Sequence, residues 1–123
     1  GIQAELSVRD ATKLTGIEGP FELAFDVGCF HTIPQAGRNR YLEQLDRILA
    51  PHGFWLMYGF LRSDAVSTRL RQSTQRLHAG SGLGEAELSR IAAQLTLLSR
   101  RDGFDEHGEK SSAWFLFQKR ELA

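Results

Sequence analysis

The chain has 123 residues, 41% of them apolar and 24% charged, with fifteen Lys and Arg against fifteen Asp and Glu. That suffices for a single domain, 1–123, with one core, and is too short for two domains of ordinary size. Zero net charge leaves no field to steer a polyanion and argues against nucleic acid as a partner, while one Cys excludes an internal disulfide and fits a reducing compartment. No apolar run is long enough to cross a bilayer, and the opening GIQAELSVRD lacks a signal-peptide layout, so the expectation is a cytoplasmic domain without membrane contact.

Residues 4–8 form a short strand candidate, because Ala4, Leu6 and Val8 alternate with Glu5 and Ser7. A turn cluster, Gly16-Ile17-Glu18-Gly19-Pro20, leads to a second strand over residues 21–27. Its Leu23-Ala24-Phe25 run predicts burial on both faces, as in a parallel sheet. The turn Gly28-Cys29-Phe30-His31 follows, and Ile33-Pro34 opens a helix, since proline favours the first turn. Tyr41, Leu42, Leu45, Ile48 and Leu49 make one apolar stripe, with Arg38, Arg40, Glu43 and Asp46 read as the polar face. Pro51 stops the helix and Gly53 can supply a positive φ. Residues 54–60 form the most apolar strand, which places it centrally.

Residues 63–78 read as a surface helix or lid, with Arg69, Arg71 and Arg76 on a solvated face. Residues 85–93 predict a short helix with acidic residues in its first turn. Residues 95–99 and 113–119 read as antiparallel strands joined by the polar loop 101–112. The unit from Phe21 to Phe60 is thus β-α-β, with a chemically loaded loop at the carboxyl end of its first strand, where open α/β sheets bind ligands.

Three stretches carry a resemblance: Val8-Arg9-Asp10-Ala11 after a strand, Phe21-Glu22-Leu23-Ala24-Phe25-Asp26 leading to Gly28-Cys29-Phe30-His31, and Leu49-Ala50-Pro51-His52-Gly53-Phe54 before a strand. In order and spacing they resemble the gDa, fDlvfdrgcfHhl and LkPGG patterns of class I S-adenosylmethionine-dependent methyltransferases. The segment from Gly84 to Leu116 is similar to that family's last helix and closing strands. The resemblance covers the carboxyl-terminal two-thirds of the family's domain. It implies an α/β, Rossmann-like sheet, mostly parallel, with an antiparallel carboxyl-terminal hairpin, lacking the first strands and their glycine loop. The family's strand order, 3-2-1-4-5-7-6, then implies an open edge on the strand at Phe21. Residues 4–8, a second copy of the chain or a missing amino-terminal segment is expected to cover it.

The resemblance further implies S-adenosylmethionine as cofactor and a small-molecule methyl acceptor. Asp10 would accept the adenine amino group and the Ala11 amide would read the ring. Backbone near Gly28 and Cys29 would face the methionyl part, with Phe30 and His31 on the substrate side. From the residues alone, His31 is either a general base, since histidine titrates near neutral pH, or a loop-fixing residue held by backbone. Cys29 is a nucleophile or a small packing residue, Asp10 a cofactor contact or a turn cap, and Asp26 a site residue or a loop cap. His52, His78 and His107 read as solvated. Gly80-Ser81-Gly82-Leu83-Gly84 has the spacing of a phosphate loop but follows a polar helical stretch instead of a buried strand, so it reads as a hinge. No cluster has metal-ligand spacing. Two functions follow: a small-molecule methyltransferase present as an amino-terminally truncated chain, or a non-catalytic remnant acting by self-association or by pairing with a separate amino-terminal piece.

Overall fold

The computed structural model describes residues 1–62, 82–104 and 111–121. The helix expected over residues 63–78, together with His78 and His107, lies outside them, as do Gly80 and Ser81. Strand β1 (Phe21–Val27) runs into a single 3-10 turn (Phe30–Thr32), helix α1 (Gln35–Ile48) and strand β2 (Leu49–Phe60). Helix α2 (Glu85–Gln94), strand β3 (Thr96–Phe104) and strand β4 (Ser111–Gln118) complete the described elements.

The sheet order is β1-β2-β4-β3, with β1 parallel to β2 and the other two pairings antiparallel. This is the 4-5-7-6 half of the implied family order, closing hairpin included. The hairpin strands reach further than their polar sequence suggested, since Arg101, Asp102 and Gly103 pair in register with Trp114, Ala113 and Ser112. Strand β3 lies at the sheet edge, where ladder bonds from β4 hold polar residues that the interior would reject.

Alternation along the strands puts Trp55 and Met57 of β2 and Phe115 and Phe117 of β4 on one face. Leu45 of α1 and Leu88 and Ile91 of α2 join them in one buried cluster. The opposite face is open. Leu23, Phe25 and Val27 are 56%, 61% and 57% exposed, beside Phe54 and Trp114, and Phe25 stacks on Trp114 at 6.0 Å. Burial of β1 on both faces is therefore corrected: among the described residues nothing packs over this side.

Three other expectations change. Residues 4–8 form no strand and are exposed, because a strand needs a partner's ladder and β1 pairs only with β2 among the described residues. They therefore do not cover the β1 edge. The break after α1 is not a loop, because β2 begins at Leu49 and absorbs residues 50–53 as a bulge, the register moving from Phe21↔Leu49 to Leu23↔Phe54. His52, not Gly53, takes the positive φ, at 63°. Gly53 is required for space, since a Cβ there would lie 2.8 Å from the Ala50 carbonyl oxygen and 3.0 Å from that of Phe21.

Candidate functional site at the carboxyl end of β1

The parallel pairing of β1 with β2 ends at Val27↔Tyr58, and the Gly28 amide adds one more bond to the Tyr58 carbonyl at 3.1 Å. Gly28 has φ 80°, where an L side chain is strained, so the chain turns sharply off the sheet at this residue. Asp26, the last buried residue of β1, then organises the turn. Its Oδ1 accepts the Cys29 amide at 2.8 Å, and its Oδ2 accepts the Phe30 amide at 3.1 Å and the Tyr41 hydroxyl. Of the two roles open in the sequence, the structure gives Asp26 the capping one. The neighbouring carboxylate and, above all, burial push the Tyr41 hydroxyl far up in pKa, so it stays protonated and donating.

Phe30 points inward, with its ring 5.0 Å from Tyr41 and 5.4 Å from Trp55 and no exposed surface. The aromatic side chain fills the core under α1, so it is the position of Phe30 in the loop, not its ring, that lies on the expected substrate side. Cys29 is exposed at the surface, yet partial desolvation where its thiol lies against the turn, then the Asp26 charge, raises its pKa, which disfavours the thiolate needed of a nucleophile.

His31 is buried beneath the end of β2, with its ring 5.0 Å from that of Phe60. Its Nδ1 accepts the Phe60 amide at 2.6 Å, so in a neutral ring the proton sits on Nε2. The lone pair that a general base would use is already engaged. Gly59 leaves room for the ring, since a Cβ there would lie 3.3 Å from the His31 Cβ and 2.9 Å from Leu83 Cδ1.

Asp10 lies at the surface, where its Oδ1 accepts the Thr12 amide at 2.8 Å and the Thr12 hydroxyl at 2.6 Å. Those bonds, with Lys13 and Arg40 nearby, hold its carboxyl below the usual range. The turn it caps is seated on the start of α1: a Cβ at Gly37 would lie 2.9 Å from Ile33 Cγ2 and 3.4 Å from Thr12 Cγ2. Arg47 ties the following residues to α1 by donating to the Ile17 carbonyl at 2.7 Å and the Leu14 carbonyl at 3.2 Å. Both candidate segments, 10–12 and 28–31, thus converge on the amino-terminal end of α1.

The sequence reading missed Arg38. It had placed this residue on the polar face of α1, yet the residue is 1% exposed. Its Nε donates to the Ile33 carbonyl at 2.8 Å, Nη2 to the His31 carbonyl at 2.8 Å, and Nη1 to the Gly82 carbonyl at 3.0 Å and Glu87 Oε1 at 2.5 Å. A signal was present, because Arg38 stands three residues before Tyr41 and seven before Leu45, on the apolar stripe.

No family model matches the sequence. Solved structures do resemble the fold. A methyltransferase from Methanosarcina mazei, described as dependent on S-adenosylmethionine, superposes with a TM-score of 0.78 at 17% identity, over 99% of this chain and 70% of its own. The N-methyltransferase NodS of Bradyrhizobium japonicum, crystallised with S-adenosylhomocysteine, gives 0.70 at 14% identity, over 94% of this chain and 54% of its own. The 1,6-didemethyltoxoflavin-N1-methyltransferase of Burkholderia thailandensis, bound to 1,6-didemethyltoxoflavin and S-adenosylhomocysteine, gives 0.66 at 19% identity, over 90% and 48%. The chain spans about half the length of the latter two. With its strand order and closing antiparallel hairpin, the chain has the fold of the carboxyl-terminal part of class I, S-adenosylmethionine-dependent methyltransferases.

Proposed function

We propose that these residues form the carboxyl-terminal part of a cytoplasmic methyltransferase that uses S-adenosylmethionine to methylate a small molecule. The observation that carries this reading is the β1-β2-β4-β3 sheet with the loop 28–31 at the carboxyl end of β1, in a fold shared with solved methyltransferases. When bound, the cofactor supplies an electrophilic methyl group on a sulfonium.

The residues present fit such a group. Asp10 is anionic and exposed, and its two bonds both fall on Oδ1, which leaves Oδ2 able to accept an amino N–H. The Ala11 amide takes no backbone or side-chain bond among the described residues, so it can donate to a ring nitrogen. In this reading the backbone at Gly28 and Cys29, where the chain turns off the sheet at a φ of 80°, faces the methionyl part of the cofactor. His31 holds the loop through Nδ1 and acts as a positioning residue, so proton removal, where the acceptor requires it, falls to another group or to solvent. Phe30 acts through packing.

A second reading rests on the open sheet face. Leu23, Phe25, Val27, Phe54 and Trp114 form an apolar surface of the kind that soluble monomers cover. Further chain, supplied as an amino-terminal segment or by a second copy, covers it in the working protein; a remnant acting by self-association would use the same face. Calorimetric titration with S-adenosylhomocysteine separates the readings. Saturable binding at micromolar ligand supports a cofactor site built by these residues alone, and no binding at millimolar ligand overturns that and leaves the site dependent on further chain.

A further inference from the structure

The β1 loop and the chain entering α2 are far apart in sequence, yet they share one buried cation. The Arg38 guanidinium meets three backbone carbonyls, those of His31, Ile33 and Gly82, besides the Glu87 carboxylate. Gln35 completes the cluster: its amide, oriented to satisfy both neighbours, accepts from Arg38 Nη1 at 2.9 Å and donates to Glu87 Oε2 at 3.3 Å. The Gly82 amide in turn donates to the His31 carbonyl at 2.9 Å, so that oxygen accepts from both Arg38 and Gly82. A planar fork with several fixed N–H directions suits this arrangement, and an ammonium does not.

We infer that Arg38 is a positioning residue that fixes the conformation of the loop 28–31 through the His31 and Ile33 carbonyls and locks it to Gly82. Its effect on cofactor affinity rests on the methyltransferase reading; its control of the loop does not. Burial alone does not explain the contacts, because a lone Arg–Glu pair could satisfy the charge without spending three N–H groups on main chain. The His31 carbonyl belongs to the loop, the Ile33 carbonyl lies two residues beyond its end, and the Gly82 carbonyl belongs to the segment it is locked to. Losing them frees its last residues, while the Glu87 pair by itself holds only α1 to α2.

Cys29, the single cysteine of the chain, reports on the loop without any ligand. The test compares its alkylation by iodoacetamide, followed by mass spectrometry, in the native protein, R38K and E87Q. Lys at 38 keeps the charge for Glu87 but cannot span the three carbonyls, so Cys29 alkylates about tenfold faster while far-ultraviolet circular dichroism stays native. Gln at 87 removes the charge but leaves the carbonyl bonds, and the rate stays within about twofold of native. A folded R38K with the native rate overturns the inference, as does an E87Q acceleration equal to that of R38K.

A second measurement needs no variant. In the native protein the Arg38 Nε–H, bonded to the Ile33 carbonyl, exchanges with solvent at least about tenfold more slowly than those of the exposed Arg9 and Arg47. Exchange at their rate also overturns it. Titration with S-adenosylhomocysteine then asks about the cofactor. If native protein binds and R38K binds at least about tenfold more weakly, the loop serves the site. If native protein does not bind, these residues alone do not hold the cofactor, and the alkylation and exchange results still decide the role of Arg38.

Discussion

The Phe60 amide donates to His31 Nδ1 at 2.6 Å, joining the loop after β1 to the far end of the neighbouring strand. His31→Ala leaves that amide without its acceptor and opens a void under Phe60. We expect a loss of about 2–3 kcal/mol in urea denaturation. A loss below about 0.5 kcal/mol would mean that the bond does not hold the loop.

Asp26 and Tyr41 make a graded pair. Asp26→Ala strips an acceptor from two amides and the Tyr41 hydroxyl, and should cost about 3 kcal/mol. Tyr41→Phe removes one donor from a carboxylate that keeps its two amides, and should cost about 1 kcal/mol. Equal losses in chemical denaturation would contradict the capping role of Asp26.

Glycine positions divide by space. Gly53→Ala presses a Cβ against the carbonyl oxygens of Ala50 in the β2 bulge and Phe21 of β1 and should cost about 1–3 kcal/mol. At Gly103 a Cβ meets nothing within 4 Å, so Gly103→Ala should stay within about 0.5 kcal/mol of native. Thermal melts of both variants check the contrast.

Acid should release one surface group. Arg100 donates to Glu85 and Asp102, and those bonds are the chief reason both carboxyls lie below their ordinary values of 4.5 and 3.8. A depressed carboxyl pKa stabilises the fold above the unfolded value, and that stabilisation disappears as pH falls through the folded value. Both carboxylates are more than half exposed, so the native protein should gain no more than about 0.5 kcal/mol per pair over Arg100→Ala at neutral pH. That difference should shrink as pH falls below the ordinary carboxyl range and through the folded values of Glu85 and Asp102. Melting curves of the two proteins across this window test the sign.

The open sheet face predicts association. Light scattering should show oligomers of the native chain that Phe25→Glu, at the centre of the exposed strand, disperses. A native chain that remains monomeric at high concentration would show that this face tolerates water.

The unit from Phe21 to Phe60 was legible in the sequence because its periodicities are clean and its turns carry Gly and Pro. The antiparallel hairpin was legible as well, although β3 extends past its apolar residues because β4 supplies the ladder. Two things were hidden. Arg38 looks like a surface residue until Glu87 and three carbonyls arrive from parts of the chain that no local pattern connects. Residues 4–8 alternate like a strand, yet pairing is a property of two segments, and no described segment pairs with them. In the candidate site, Asp10, Gly28 and His31 stand at the turns the sequence marked, whereas the inward direction of Phe30 depends on packing against Tyr41 and Trp55.

The most direct test of the cofactor site is amide mapping by nuclear magnetic resonance of the labelled chain during titration with S-adenosylhomocysteine. The account predicts saturable shifts at Ala11, Gly28 and Cys29, with Asp10→Asn weakening the response. Shifts confined to other parts of the chain, or none at millimolar ligand, would contradict it.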